Sequence, residues 1–244
     1  MRNVRLDICY DGTRYKGWQR LQGNEQTIQG KLEQTLSRLL GEEVEVSASG
    51  RTDAGTHALL QVVNFHCESS MPCDEILHGL RQYLPEDIGV YSCKNVSERF
   101  HARLNAKTKT YRYRVWNSEM PCVFDRRFVY VDRRQFDMDA MNRAASCLLG
   151  THDFAAFCDN KKMKKSTIRT IRSFTVTRCA GEIHFTVTGN GFLQHMVRIM
   201  VGTLLDVGAG ERSVADIPLL FHANRAESGP KIPACGLCLM EVTY

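Results

Sequence analysis

The sequence predicts an α/β (α+β) protein of two related halves, with a mainly antiparallel mixed sheet flanked by helices. Three observations predict it. Several segments alternate apolar and polar residues at period two, as half-buried strands do. Others repeat apolar residues every three or four positions, as amphipathic helices do. The order strand, helix, strand, strand occurs in each half, and short links within the strand pairs make antiparallel neighbours the expectation.

The first half, residues 1–104, opens with VRLDICYD (4–11), which sets Val4, Leu6, Ile8 and Tyr10 against Arg5, Asp7 and Cys9. From Gln26 the period changes, and Ile28, Leu32, Leu36 and Leu39 form the stripe of a helix that Gly41 can close. EVEVSAS (43–49) and LLQVVNFHC (59–67) read as two strands joined through SGRTDAGTHA (49–58). In the second half, residues 105–244, TYRYRVW (110–116) alternates and DMDAMNRAASCLLG (137–150) is helical. TIRTIRSFTVTRC (167–179) and EIHFTVTG (182–189) are strands linked by a short turn at Ala180-Gly181. Further helices are expected near 74–83, 194–207 and 213–224, a strand after Gly236, and flexible segments near 159–166 and 223–234.

A length of 244 residues with 43% hydrophobic content can bury a real core. The N-terminal MRNVRLDICYDG lacks the layout of a signal peptide, and no apolar run approaches the ~18 residues of a membrane span. A cytoplasmic protein is expected, with its ten cysteines reduced. Cys235 and Cys238 form a single CxxC that reads as structural, and the histidines at 57, 66, 101, 152 and 195 show no metal-binding spacing. Neither a metal nor a bound nucleotide is indicated, so the expected chemistry is that of side chains alone.

The net charge is only +5, but it is unevenly spread. Residues 99–114 and 161–172 each hold six Lys or Arg and no acid. Removing these twelve leaves 20 basic against 27 acidic residues, a remainder of −7. Two basic blocks on an acidic chain suggest a polyanion surface, although each can also be a solvated face. Phe100, Tyr111 and Tyr113 within the first block could stack on unpaired bases, which favours RNA.

Three residues stand out chemically. Asp53 lies between two strands with Gly50 and Gly55 beside it, so it can be a plain turn residue. Arg51 and His57 are more than a turn requires, and a neighbouring arginine keeps a carboxylate ionised, as a nucleophile must be. Arg198 interrupts the apolar run Leu193, Met196, Val197, Met200, Val201 and Leu204. A buried guanidinium needs a carboxylate or a wet cleft; otherwise Arg198 reaches solvent beside Gln194. Tyr111, beside Lys109 and Arg112, is either a packing residue or a site residue. A non-catalytic RNA-binding module would share the basic blocks, and Asp53 is the residue that separates it from an enzyme.

GRTDAGTHA (50–58), FHARLNAKTKTYRYRVWN (100–117), STIRTI (166–171), GFLQHMVRIMVGTLL (191–205) and GLCLMEVTY (236–244) together resemble the tRNA pseudouridine synthase A family. YDGTRYKGWQRLQGNEQTIQGKLE (10–33) is similar too, so the resemblance runs from end to end in the same order. It implies the pseudouridine synthase fold with an active-site cleft between the halves. It also implies conversion of uridine to pseudouridine at positions 38, 39 and 40 of the tRNA anticodon stem-loop, by a homodimer without cofactor. By matched position it makes Asp53 the nucleophile and Arg51 the residue that holds the flipped nucleotide. Tyr111 becomes the pocket residue and candidate base, Arg198 the partner of the Asp53 carboxylate, and Leu239 part of the pocket wall. Where the family usually has valine, this chain has Thr56.

Overall fold

The computed structural model describes residues 1–21, 26–160 and 166–244. Residues 161–165 carry most of the segment expected to be flexible and four lysines of the second basic block, and they lie outside the described residues. The chain forms two compact units, Met1–Lys107 with Cys238–Tyr244, and Thr108–Leu237.

In the first unit, β1 (Arg2–Tyr10) buries Val4, Leu6, Ile8 and Tyr10 as its alternation requires. Helix α1 (Ile28–Leu40) starts where the Thr27 hydroxyl accepts from the Gly30 N–H, and it ends at Gly41 with φ 71°. β2 is only Ser47–Ala48, followed by β3 (His57–Cys67), α2 (Cys73–Tyr83) and β4 (Ile88–Val96). β1 lies between β3 and β4, antiparallel to both, and β2 pairs with β3. The strand expected at 43–49 is shortened because α1 takes its backbone donors. Val44 N–H donates to Ser37 Oγ at 3.0 Å and Val46 N–H to Glu33 Oε1 at 2.9 Å.

In the second unit β5 (Thr108–Trp116) is followed by β6 (Tyr130–Val131), α3 (Met138–Cys147) and β7 (Gly150–Asp153). β8 (Ile168–Cys179), β9 (Glu182–Gly189) and α4 (Met196–Gly208) complete its main elements. The antiparallel order is β5-β9-β8-β7, with β6 parallel to β5. α3 packs on α4 and β8. The helix expected at 213–224 is instead two 3-10 turns, Val214–Asp216 and Pro218–His222. Pro218 has no N–H to continue a helical ladder from one turn into the next.

β10 (Leu237–Thr243) ends the chain, and Cys238 and Leu239 pair in parallel with His57 and Ala58 of β3. Cys238–Tyr244, Leu239 among them, therefore belong to the first unit and not to the second half where the sequence placed them. The Tyr244 hydroxyl donates to Ala102 O at 2.7 Å, and its ring lies 5.1 Å from that of Phe100. No helix among the described residues is long and apolar enough to cross a membrane.

Candidate active site

Asp53 begins a tight turn. Thr56 N–H donates to Asp53 O at 3.1 Å, and Gly55 takes φ 76°, the positive value a type II turn demands at its third residue. Asp53 is half-buried, whereas Thr52, Thr56 and His57 are buried and Arg51 is exposed.

The turn is braced on both sides by side chains and loops of the same unit. Gln61 of β3 donates to Gly50 O at 2.9 Å and also bonds Ser49 Oγ. The Tyr10 hydroxyl meets Thr52 Oγ1 at 2.8 Å, and burial pushes that phenol well above the usual tyrosine range. The loop 11–18 lies along the turn, with Trp18 N–H donating to Thr52 O at 3.0 Å and Gly55 N–H to Tyr15 O at 3.3 Å. Two glycines permit this approach. A Cβ on Gly12 would lie 2.0 Å from Thr56 O, and one on Gly17, which has φ 94°, would lie 2.8 Å from Thr52 O. Leu239 on β10 is fully buried one residue beyond the partner of His57.

In the second unit, Tyr111, Tyr113 and Val115 occupy the buried face of β5. Tyr111 packs edge-on against Phe192 with ring centroids 5.2 Å apart. Tyr113 is fully buried and donates to Pro233 O at 2.7 Å, so it is a core residue and not available to stack on a base. Its phenol is raised first by burial and then by the Cys235 thiol, against a lowering influence of the nearby Arg198.

All residues of α4 are buried except Arg198 and Asp206. Arg198 is half-buried, neither enclosed nor out in solvent, and its Nε donates to Ile232 O at 2.7 Å. His195, just before the helix, has φ 62° and contacts Asp159 Oδ2 at 2.7 Å. Arg225 and Lys231 also reach Asp159, at 2.8 and 2.9 Å. Burial alone would raise this carboxyl, but hydrogen bonds from Lys231, Arg225 and His195 hold it far below the ordinary range. No sequence motif announces this cluster, because its members are spread over residues 159 to 231.

The basic blocks are not uniform. Arg99, Arg103 and Lys107 are exposed, whereas Arg114 is held by Glu182 at 2.6 Å and Asp125 at 3.1 Å. Among the described residues, no group of three or more His, Cys, Asp or Glu is arranged to hold a metal ion.

The fold is thus a mixed α/β architecture carrying a braced aspartate turn and an arginine on a buried helix. The chain belongs to the tRNA pseudouridine synthase family, whose model matches residues 8–105 and 144–244. Enzymes of this family are isomerases. The relatives narrow the class further. The chain is 42% identical to tRNA pseudouridine synthase A 2 of Bacillus cereus and 46% identical to tRNA pseudouridine synthase A 1 of Clostridium tetani, in each case over 100% of both proteins. It is 43% identical to tRNA pseudouridine synthase A of Acetivibrio thermocellus, again over 100% of both. Among solved structures, a chain of a Cbf5-Nop10-Gar1 complex aligns with a TM-score of 0.38 at 12% identity, over 83% of this chain and 45% of that one. That score is too low to inform the fold. Arg51, Asp53, Arg198 and Leu239 fall within the residues matched by the family model, and Tyr111 falls between its two segments.

Proposed function

We propose that this protein isomerises uridine to pseudouridine at positions 38, 39 and 40 of the tRNA anticodon stem-loop, with Asp53 as nucleophile and without a cofactor. The reading is supported by full-length similarity to tRNA pseudouridine synthase A relatives. The observation that carries it is the Asp53 turn, where side chains of β1 and β3 and the backbone of loop 11–18 brace residues 50 to 55 around a half-buried aspartate. A simple surface turn needs no such bracing.

The reaction breaks the N1–C1′ bond, rotates the uracil, joins C5 to C1′, removes the C5 proton and leaves N1 protonated, so that the product is an isomer. A carboxylate facing the sugar assists glycosidic cleavage. Arg198 is its proposed ion-pair partner. Tyr111, oriented by Phe192, is the proposed group that lines the uracil and moves the C5 proton. Arg51 holds the extruded nucleotide, and Leu239 forms pocket wall. Extrusion from a stem costs about a few kcal/mol, which pocket contacts offset. Arg99, Arg103 and Lys107 supply exposed cations for phosphate contacts. The protein acts in the cytoplasm as a homodimer, each tRNA touching both subunits.

The site specificity is checked with tRNA transcripts labelled with tritium at uridine C5, because C5 loses its hydrogen when pseudouridine forms. Transcripts with uridine at 38, 39 or 40 should release tritium. Equal release from a transcript with none of these three uridines would refute the assignment of the anticodon stem-loop.

A further inference from the structure

His57 follows the Asp53 turn directly, yet the chemistry above gives it no part. It is 4% exposed at the start of β3. Its Nδ1 accepts the Gly12 N–H at 3.1 Å. An amide N–H can only donate, so in this arrangement Nδ1 carries the lone pair and the ring proton sits on Nε2. Asp11 Oδ1, 3.2 Å from the same nitrogen, already accepts from Thr13 N–H at 2.9 Å and from Thr13 Oγ1 at 2.5 Å. The imidazole therefore ties the beginning of loop 11–18 to the exit of the Asp53 turn.

Gly12 is in turn pressed on that turn. The space a Cβ would occupy there is filled by the Thr56 carbonyl, at 2.0 Å from oxygen and 2.7 Å from carbon. Thr56 closes the turn by donating its N–H to Asp53 O. The path from His57 Nδ1 to Asp53 thus has three short links: the Gly12 amide, the Gly12–Thr56 backbone contact, and the turn hydrogen bond. Tyr15 and Trp18 add two further contacts from the same loop to Gly55 and Thr52.

We infer that His57 is a positioning residue, which uses Nδ1 as a hydrogen-bond acceptor to hold loop 11–18 against the Asp53 turn and so fixes where the carboxylate lies. The inference rests on the reading of Asp53 as the nucleophile. It concerns orientation and not proton transfer, so its signature lies in kcat and not in tRNA affinity. Displacements of about 1 Å at a reacting group can cost about 100-fold in rate.

Three variants test it: His57→Asn, whose Oδ1 takes the place of Nδ1; His57→Gln, whose oxygen lies one bond too far; and His57→Leu, which keeps volume without an acceptor. Each is measured for kcat and KM by tritium release, and for Tm. The expected result is near wild-type kcat for Asn and a fall of about 10- to 100-fold for Gln and Leu, with KM within about twofold throughout. Where Leu fails to fold, the contrast between Asn and Gln carries the test. Equal kcat in all variants overturns the inference, as does an equal loss in Asn and Gln. Asp53→Asn is assayed alongside. Turnover in that variant removes the nucleophile reading itself, whereas an inactive Asp53→Asn with unaffected His57 variants removes only the role of His57.

Discussion

At the scale of single residues, the Asp53 neighbourhood combines a strongly constrained backbone with one loose end. The Thr56 hydroxyl is buried, and no hydrogen-bond partner for it is found among the described residues. A buried hydroxyl without a partner costs about 1–3 kcal/mol, whereas an apolar group of the same shape costs nothing comparable. Thr56→Val should therefore raise stability by about 1 kcal/mol and leave turnover intact. Chemical denaturation and a tritium-release assay check the two halves of that statement, and a destabilised variant would contradict it. How far such details can be read from sequence differs from residue to residue. Asp53 and Gly55 announce a turn, because glycine supplies the positive φ there. The bracing by Tyr10, Trp18 and Gln61 is not legible, because it depends on contacts between residues 10 to 18 and 50 to 61. Arg198 is legible as an awkward charge, but the bond from its Nε goes to Ile232 O, a backbone atom that no motif announces.

At the scale of elements, the segments with a strong period were the readable ones. β1, α1, β8 and β9 follow their apolar patterns closely. β4 and β7 are not legible in the sequence for a physical reason. β4 buries only Ile88 and Val90 before turning polar, and GTHD of β7 buries none of its four residues. Each has one strand neighbour within its unit, and a strand packed on little core shows little alternation. The shortened β2 shows a different effect, since Val44 and Val46 are buried like strand residues while side chains of α1 take their N–H groups. Helix α4 is legible by composition, but its tolerance is set by backbone proximity. A Cβ on Gly202 would lie 2.1 Å from Pro230 O, so either the packed helix or the segment around Pro230 would have to shift. Gly202→Ala should cost about 3 kcal/mol, read as a lower denaturation midpoint. A midpoint equal to wild type would show that the 230 segment yields.

At the scale of the whole molecule, charge is the property that composition describes least well. The net +5 conceals exposed Arg99, Arg103 and Lys107 on one hand, and cations committed to internal ion pairs on the other. Arg114 belongs to the second kind, as do Arg225 and Lys231 around Asp159. These pairs also set the response to acid. The Asp159 carboxyl is held below its unfolded value by Lys231, Arg225 and His195, against the effect of burial. Glu182 is likewise lowered, by Arg114 and His184 against burial. Groups with depressed folded-state values stabilise the protein above their unfolded pKa, about 4, and lose that contribution as pH falls through the folded value. Stability should therefore drop progressively below about pH 4, and Asp159→Asn should flatten that drop while lowering stability at pH 7. An acid limb of unchanged steepness in Asp159→Asn would show that the cluster does not govern it.

The proposed isomerisation depends on one carboxylate, that of Asp53, presented by its braced turn. It is tested most directly by single-turnover tritium release from C5-labelled tRNA by Asp53→Asn, with tRNA binding measured in the same preparation. Wild-type Kd and no release are expected. Release at a rate near wild type, from a variant that binds tRNA normally, would contradict it.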